Sequence, residues 1–405
     1  MGGDVADRTI AGRLRAGLRG LVRPPELNTD ERRSASRLEL FFDLAFVLVV
    51  AELAIALRDD VTLHGELLFA GLFTVVWWSW VSATLYANRF DHDDVVYRLC
   101  KLAGMAAVIG MAASATEATG ERFGLFVGCQ LLLRVTLLLQ YRRAYRHVAA
   151  ARPVARLYLI GTAVGALLWG VSLLVPRPAA FALWAAALLI EAIVPLLATR
   201  HSADVPLHVE HLPERFALFV ILVLGESVAG IAHGLYEAAW APSALPVAVL
   251  CFVLAAALWW SYFDLAGARA KRLLNEVGGE HSHRSHDVYV FGQLPLTLAL
   301  ATVGAGVELA VVQSGAGEVP AGTRILLAGG VAVYLVAMTI TDSGMSRGTR
   351  KGWWWPLSAA AVAGVDVVLE LPAVVVVGVL AALLVAVVVV GTVERSTGRL
   401  DVDPV

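Results

Sequence analysis

The sequence predicts an all-α fold, a polytopic membrane helical bundle of about twelve transmembrane helices arranged as two six-helix parallel repeats. Three observations predict this fold. The 405-residue chain is 58% hydrophobic and only 16% charged, which is far from the composition of a soluble protein. It contains twelve apolar stretches that are long enough to cross a bilayer, which takes about 20 residues each. Sequence motifs of the first half return in the second half.

The predicted spans follow one another with short connections. They cover residues 39–57, 65–86, 97–116, 124–140, 156–175, 179–198, 214–234, 244–265, 288–312, 323–341, 353–370 and 371–392. The fifth and sixth spans form a tight hairpin, as do the eleventh and twelfth, because prolines lie in their connections. The eleventh begins with Trp353-Trp354-Trp355-Pro356, which is typical of a membrane interface, and Asp366 interrupts it.

Basic residues give an independent prediction of topology. With twelve crossings and a cytoplasmic N-terminus, 27 of the 32 Lys and Arg residues fall on the cytoplasmic side. Cytoplasmic loops carry such an excess. We therefore expect both termini to be cytoplasmic and the protein to lie in a bacterial plasma (inner) membrane. The outer side is expected to hold only Arg58, Arg122, Arg177 and Arg324, with Arg134 inside a span.

The two predicted repeats share motifs at matching positions. Trp77-Trp78-Ser79-Trp80 on the second span matches Trp259-Trp260-Ser261-Tyr262 on the eighth, and Glu117 corresponds to Glu308 near the outer ends of the third and ninth spans. Six spans per repeat is an even number, so the halves should have the same orientation about a pseudo-two-fold axis along the membrane normal. The predicted domains are a basic amphipathic cytoplasmic segment, the two repeats and a cytoplasmic tail, at residues 1–35, 36–200, 201–393 and 394–405.

Acidic residues inside the first and seventh spans are the main candidates for function. The first span opens with a Ser36-x-x-Glu39 capping box and also carries Asp43 and Glu52, while Glu214 and Glu226 lie on the seventh. A carboxylate facing lipid at mid-membrane depth costs at least about 2.5 kcal/mol, so each must face the bundle interior, pair or be protonated.

Glu52 and Glu226 are expected to approach one another across the repeat axis. Two adjacent acids can share a proton, which suits a proton or cation relay. The alternative is that each is satisfied separately by a buried hydrogen bond or by Arg134.

Arg134 breaks the symmetry of the repeats, because its counterpart near Ala332 is uncharged. A buried arginine must find a carboxylate. The depth-matched candidates are Glu52, Glu191 and Glu226. A structural ion pair and an anion-binding site both remain open.

A polar segment follows the second span at its predicted inner end. It contains Asn88, Arg89 and Asp91. We expect these residues to form a network at the inner mouth of the bundle with Asp43, including an ion pair between Arg89 and Asp43 or Glu39. The alternative is a solvated loop whose acids cap helices.

Two groups of histidines have spacings that could bind a transition metal. The first is His208-x-x-His211-x-x-Glu214, and the second contains His281, His283, His286 and Asp287. The alternative is that these are solvent-exposed or pH-sensing histidines. The tryptophan pairs are interpreted as packing residues, and no motif predicts a cofactor.

The chain resembles the bacterial low temperature requirement protein A family from about residue 36 to 395. The resemblance is carried by Glu39-Leu40-Phe41-Phe42-Asp43-Leu44-Ala45-Phe46-Val47, by Asn88-Arg89-Phe90-Asp91 with Asp93-Asp94, and by His211-x-x-Glu214-Arg215-Phe216 continuing to Gly225-Glu226-Ser227. The family name implies a cold-growth phenotype and no particular reaction. In addition, Arg37-x-x-x-Phe41-Phe42-Asp43 is similar to the Arg-x-x-x-Phe-Ser-Asp motif of two-repeat, twelve-span endolysosomal and bacterial potassium channels, although Phe42 replaces the serine.

Buried acids in both halves of a duplicated bundle predict an integral membrane transporter or ion-conducting protein. One alternative is a membrane-embedded enzyme that acts on a lipid or isoprenoid-like substrate by acid/base chemistry. Another is a non-catalytic membrane scaffold or sensor. The expected partners are the lipid bilayer and a small ion or lipid-like ligand, with no nucleic acid because the net charge is −2. The sequence leaves homo-oligomerisation open.

Overall fold

The computed structural model describes residues 21–28, 36–91, 93–200, 211–267, 280–345 and 354–396. These residues form the predicted all-α bundle. The helices are α1 Arg37–Asp59, α2 Leu63–Arg89, α3 Val95–Ala112, α4 Phe123–His147, α5 Arg152–Ser172, α6 Arg177–Arg200, α7 His211–Glu237, α8 Ala244–Trp260, α9 Glu280–Val312, α10 Ala321–Met345, α11 Trp354–Val368 and α12 Ala373–Ser396.

Eleven of the described helices are long and apolar enough to cross a membrane, and α11 is shorter. Its 15 residues rise about 22 Å, which is less than the roughly 30 Å of a hydrocarbon core. Large apolar side chains stay exposed along the other helices, as at Leu44 and Leu48 on one face of α1. Such a surface requires a lipid bilayer around it.

The chain forms two compact units, each with its own packed interior. The first contains Met1–Phe46 and Trp78–His208, and the second contains Val47–Trp77 and Val209–Val405. Helices α1 and α2 are therefore each divided, with one part in the first unit and the other part in the second. Because this division differs from a simple split near residue 200, the boundaries of the two sequence repeats stay a prediction.

A short antiparallel pair of strands closes one end of the first unit. β1, Glu26–Leu27, pairs with β2, Phe90–Asp91, directly after α2. The backbone N–H of Asn28 donates to the carbonyl of Arg89 at 3.0 Å. Behind β2 lies an aromatic core in which Tyr141 stacks on Tyr158 with ring centroids 4.7 Å apart. The polar end of α2 is thus fixed in place.

In the second unit, two helices are interrupted by π-helical turns. Ser261–Gly267 continues α8, and Ile325–Gly329 lies inside α10. The hydroxyl of Ser261 lies 2.8 Å from the hydroxyl of Tyr334 and within reach of the Leu258 carbonyl. Wider π turns are frequent at functional sites, because they redirect backbone and side-chain groups.

Candidate functional site

Helices α7 and α9 approach closely through glycines in the second unit. Gly230 and Gly234 lie one turn apart on α7, and a Cβ added at Gly234 would lie 3.0 Å from the carbonyl oxygen of Glu308 on α9. A Cβ added at Gly304 would lie 3.2 Å from Cγ of Glu226. Glycines let two membrane helices pack backbone against backbone. This glycine seam, formed by the three glycines, brings Glu226 and Glu308 into one region.

One arginine contacts both carboxylates. Nη1 of Arg58, in the last turn of α1, lies 3.2 Å from Oε1 of Glu226 and 3.0 Å from Oε2 of Glu308. The second oxygen of Glu308 lies 2.8 Å from Nδ1 of His233. His233 follows Glu226 by seven residues, about two helical turns, and so lies on the same face of α7. We call Arg58, Glu226, Glu308 and His233 the Arg58 cluster.

The Arg58 cluster is buried at its carboxylates and open at its imidazole. The side chains of Arg58, Glu226 and Glu308 are 11%, 10% and 6% exposed, whereas that of His233 is 54% exposed. With both glutamates ionised and the imidazole neutral, the cluster carries a net charge of −1. A proton or another cation near His233 would balance this charge.

Glu52 is the residue that the sequence predicts beside Glu226. It lies on α1, six residues before Arg58, and is partly exposed. No hydrogen bond or ion pair joins Glu52 to Glu226 among the residues that the structure describes. Arg58 is the partner of Glu226 instead, and the role of Glu52 stays a prediction.

The first unit contains a second buried charged pair. Nε of Arg134 on α4 lies 2.8 Å from Oε1 of Glu191 on α6, and the two side chains are 1% and 5% exposed. Arg134 therefore forms an ion pair, and Glu191 is its partner among the three candidates. Each charge is desolvated, but each has an opposite charge in contact.

Polar groups from α2 complete the shell around the Arg134–Glu191 pair. Nε1 of Trp78 donates to Oε2 of Glu191 at 3.0 Å, and Nη1 of Arg134 donates to the hydroxyl of Ser79 at 3.1 Å. The side-chain amide of Gln130 contacts the same hydroxyl, with its nitrogen donating at 3.1 Å in the orientation that lets its oxygen accept from Arg134 Nη2. The tryptophan motif thus contributes a hydrogen-bond donor, whereas the sequence indicated only a packing role.

Gly165 on α5 leaves the space that the carboxylate of Glu191 occupies. A Cβ at this position would overlap Oε1 of Glu191. The pair is therefore enclosed by packing as well as by hydrogen bonds.

The predicted pairing of Arg89 is wrong. Its Nη1 donates to the hydroxyl of Tyr158 at 3.1 Å, and its guanidinium lies over the Tyr158 ring at 5.1 Å from the centroid. No ion pair joins Arg89 to Asp43 or Glu39 in the part of the chain that the structure describes. Asp43 instead accepts a 2.9 Å hydrogen bond from Nε1 of Trp80. The aromatic neighbours of these charges explain the difference, since they offer a donor, an acceptor and a π face at contact distance.

Other predicted residues have capping or packing roles in the structure. The backbone N–H of Glu39 donates to the Ser36 hydroxyl and that of Ser36 to Oε2 of Glu39, both at 3.2 Å, which confirms the capping box. The carbonyl of Asn88 accepts a hydrogen bond from the Asn28 amide at 3.3 Å. Asp94 caps α3 by accepting from the Tyr97 N–H at 2.9 Å.

The structure describes the predicted histidine groups and the polar segment after α2 only in part. The side chains of Asp91, His211, His281 and His283 lie outside the described residues, as does all of His208. Glu214 is exposed in the first turn of α7, and His286 is buried in α9. Neither predicted histidine group is therefore tested as a metal site.

A small, mostly apolar cavity lies elsewhere in the second unit. Its volume is about 20 Å³, which is enough for about one water molecule. Tyr262 of the π turn, Tyr289 and Gln293 of α9, and Asp342 of α10 contribute polar groups to its wall. The hydroxyl of Tyr262 donates to Oε1 of Gln293 at 3.2 Å.

Sequence reasoning missed the partners of Glu226. Glu308 was recognised only as the counterpart of Glu117, and Arg58 and His233 were not singled out. Two signals were available: the seven-residue interval from Glu226 to His233, and the Gly230-x-x-x-Gly234 spacing typical of close membrane-helix contacts.

A bundle of apolar, membrane-length helices with buried ionised groups defines an integral membrane protein. The profile of the bacterial low temperature requirement A protein (LtrA) family matches residues 34–389. The chain therefore belongs to this family of bacterial membrane proteins.

Comparison with individual proteins gives one similar relative and no structural match. The chain is 27% identical over 293 residues to the uncharacterized protein RA0937 of Rhizobium meliloti (strain 1021), covering 70% of this chain and 71% of the relative. No solved structure matches the chain significantly. The fainter likeness to potassium channels gains no support from these comparisons.

Proposed function

We propose that the protein is an integral membrane transporter or ion-conducting protein whose Glu226 and Glu308 exchange a proton or a small cation. The observation that carries this proposal is that two buried carboxylates share one arginine, with an exposed histidine hydrogen-bonded to one of them. The proposed location is the bacterial plasma membrane, with both termini cytoplasmic.

The charge balance favours exchange over a purely structural role. A structural ion pair needs one cation for each anion, as in the Arg134–Glu191 pair. Arg58 neutralises only one of its two glutamates, so the other must be protonated, must pair with a protonated His233 or must bind a cation to avoid the cost of a buried charge. His233 can pass a proton between water and Glu308, because imidazole changes its charge near neutral pH.

Helix α9 carries polar groups at two depths. Gln293 lies at the small cavity and Glu308 lies in the Arg58 cluster, and the 15 residues between them correspond to about 22 Å of helix. This cavity holds about one water molecule and so offers no space for a lipid chain at that place. Glu52, on the same helix as Arg58, is a further proposed contributor. The predicted inner network of Asp43, Asn88, Arg89 and Asp91 stays a prediction for the first unit.

The matching environments of two serines support the proposed duplication. Within the first unit Ser79 of α2 bonds to α4, and within the second unit Ser261 after α8 bonds to Tyr334 of α10. In each predicted repeat, the serine of the tryptophan motif on the second helix therefore contacts the fourth helix. The two repeats are proposed as residues 36–200 and 201–393.

A liposome flux assay tests the proposal. Purified protein is reconstituted, and proton and monovalent-cation movement is followed at a set membrane potential. Glu226→Gln and Glu308→Gln should each lower flux at least about 10-fold, because an amide cannot exchange a proton and lacks the charge that attracts a cation. Glu52→Gln, measured beside them, tests the sequence prediction for that residue.

Glu117→Gln is the matched control. Glu117 is the predicted repeat counterpart of Glu308, but its side chain is 45% exposed and pairs with Arg122 at 2.9 Å. Its flux should equal that of the wild type. Wild-type flux in both Glu226→Gln and Glu308→Gln, or no flux of either ion in well-folded wild-type protein, would overturn the proposal.

A further inference from the structure

We propose that His233, Glu237 and Glu308 form a binding site for a divalent transition-metal ion such as Zn²⁺ at the end of α7. One ligand atom from each of the three residues lies within 4.8 Å of the other two. This site does not depend on transport, because it is defined by equilibrium binding to the purified protein.

Helix geometry places the ligands. His233 and Glu237 are four residues apart and so lie on one face of α7, the spacing with which helices commonly present two metal ligands. Nε2 of His233 lies 3.9 Å from Oε1 of Glu237, while Nδ1 lies 2.8 Å from Oε1 of Glu308. The imidazole therefore lies between two carboxylates from two different helices.

Rotation of the side chains alone can bring the three ligand atoms to the spacing that a metal ion requires. Ligands of a tetrahedral Zn²⁺ ion lie about 3.4 Å from one another when each bond is about 2.1 Å long. His233 and Glu237 are 54% and 47% exposed, so the surrounding protein leaves room for both side chains to move toward an ion. Glu308 is held by Arg58 and by the glycine seam, and it supplies the fixed point of the site.

The charge of this region fits a divalent cation. Glu226, Glu237 and Glu308 provide three carboxylates, and Arg58 provides one positive charge. With all three glutamates ionised and His233 neutral, the net charge is −2, which one divalent ion balances. A set of one imidazole nitrogen and two carboxylate oxygens suits Zn²⁺ and Mn²⁺, and the exposure of two ligands leaves positions for water.

The test is zinc binding to tag-free, detergent-purified protein, measured by equilibrium dialysis with metal analysis. His233→Ala and Glu237→Gln should each bind one Zn²⁺ fewer per chain than the wild type, or bind that ion at least about 10-fold more weakly. Using the difference between variants removes the contribution of histidines elsewhere in the chain.

His64→Ala is the matched control, because His64 is also an exposed histidine near a helix end in the same unit and lies outside this ligand set. It should bind as the wild type does. Glu237→His should bind the same ion at least about 10-fold more tightly, because it creates a histidine pair four residues apart, and this gain cannot come from misfolding. Unchanged binding in His233→Ala, or no gain in Glu237→His, would overturn the proposal.

Separate measurements of zinc binding and of ion flux distinguish this inference from the proposed function. Both use Glu308, but His64→Ala, His233→Ala and Glu237→His are compared by metal content alone. Protein that binds zinc at His233 and conducts no ion would support the metal site and contradict transport. Protein that conducts ions, and whose variants bind as much zinc as the wild type, would support transport and contradict the metal site.

Discussion

The Arg134–Glu191 pair and the Arg58 cluster use the same residue types to opposite effect. The first has one guanidinium for one carboxylate, and both side chains are at most 5% exposed. The second has one guanidinium for two carboxylates and reaches the protein surface through His233. The balanced, enclosed pair neutralises itself, whereas the more open cluster has a neutral imidazole that can accept a further positive charge. A buried charge in a membrane helix therefore indicates function only when the charges around it do not balance.

Breaking the balanced pair should give the largest effect on stability. Arg134→Met leaves Glu191 buried without its counter-charge and should cost about 3–5 kcal/mol in the free energy of unfolding. The double variant Arg134→Met with Glu191→Leu should recover most of that loss, because it leaves no buried charge. Unfolding of the purified protein in detergent measures both, and a double variant that is as unstable as the single one would show that the pair does more than neutralise itself.

Glu117→Gln is the stability control for that experiment. The Glu117–Arg122 pair is roughly half exposed, and exposed pairs contribute at most about 1 kcal/mol. Little change in unfolding is therefore expected.

Separating α7 and α9 at the glycine seam should have the next largest effect on stability. It also changes the geometry of the Arg58 cluster. In Gly234→Ala, the new Cβ would lie 2.9 Å from Cβ of Val311 and 3.0 Å from the Glu308 carbonyl oxygen, so α7 and α9 must separate. Overpacking of this kind costs about 1–3 kcal/mol, and flux should fall because Glu308 moves relative to Arg58 and His233. Gly225→Ala on the same helix has nothing within 4 Å of the new Cβ and should be neutral or slightly stabilising. Equal flux and stability in the two variants would contradict a role for the seam.

Removing a neutral hydrogen-bond donor beside the Arg134–Glu191 pair should have the smallest effect on stability. Trp78→Phe removes the indole N–H that donates to Glu191, whereas Trp169→Phe removes an indole N–H that has no partner among the described residues. Both variants lose similar ring volume. Trp78→Phe should therefore be less stable than Trp169→Phe by about 1.5 kcal/mol, the lower end of the net contribution of a hydrogen bond to a charged group. Unfolding measurements on the two variants give this difference directly, and equal stability would mean that Glu191 does not need the donor.

The sequence predicted the balanced pair better than the unbalanced cluster, for a physical reason. Arg134 is a charge far from both ends of its span, so it must have a carboxylate at its own depth, and Glu191 met that requirement. Glu226 met the same requirement with Arg58, which lies at a helix end and reaches inward with a long side chain. The depth of a residue along its helix, counted from the sequence, does not show how far a long side chain extends from the helix end.

Local signals were reliable where the interaction was local. The Ser36-x-x-Glu39 capping box was predicted correctly, because its hydrogen bonds join residues three positions apart. The pairing of Arg89 was wrong, because its partner Tyr158 lies 69 residues away and offers a hydroxyl and a π face in place of a carboxylate. The helices followed from hydropathy, and among the residues that the structure describes, α11 is shorter than a membrane span whereas α4 and α9 extend beyond their predicted spans.

The glycine seam also bears on how the Arg58 cluster responds to temperature. Contacts between membrane helices at glycines depend on van der Waals attraction between backbones, since lipid chains already provide an apolar environment. Exclusion of water, by contrast, becomes a weaker driving force on cooling. The spacing between Glu226 and Glu308 is therefore expected to persist in the cold, where contacts in water-soluble proteins that rely on apolar burial loosen.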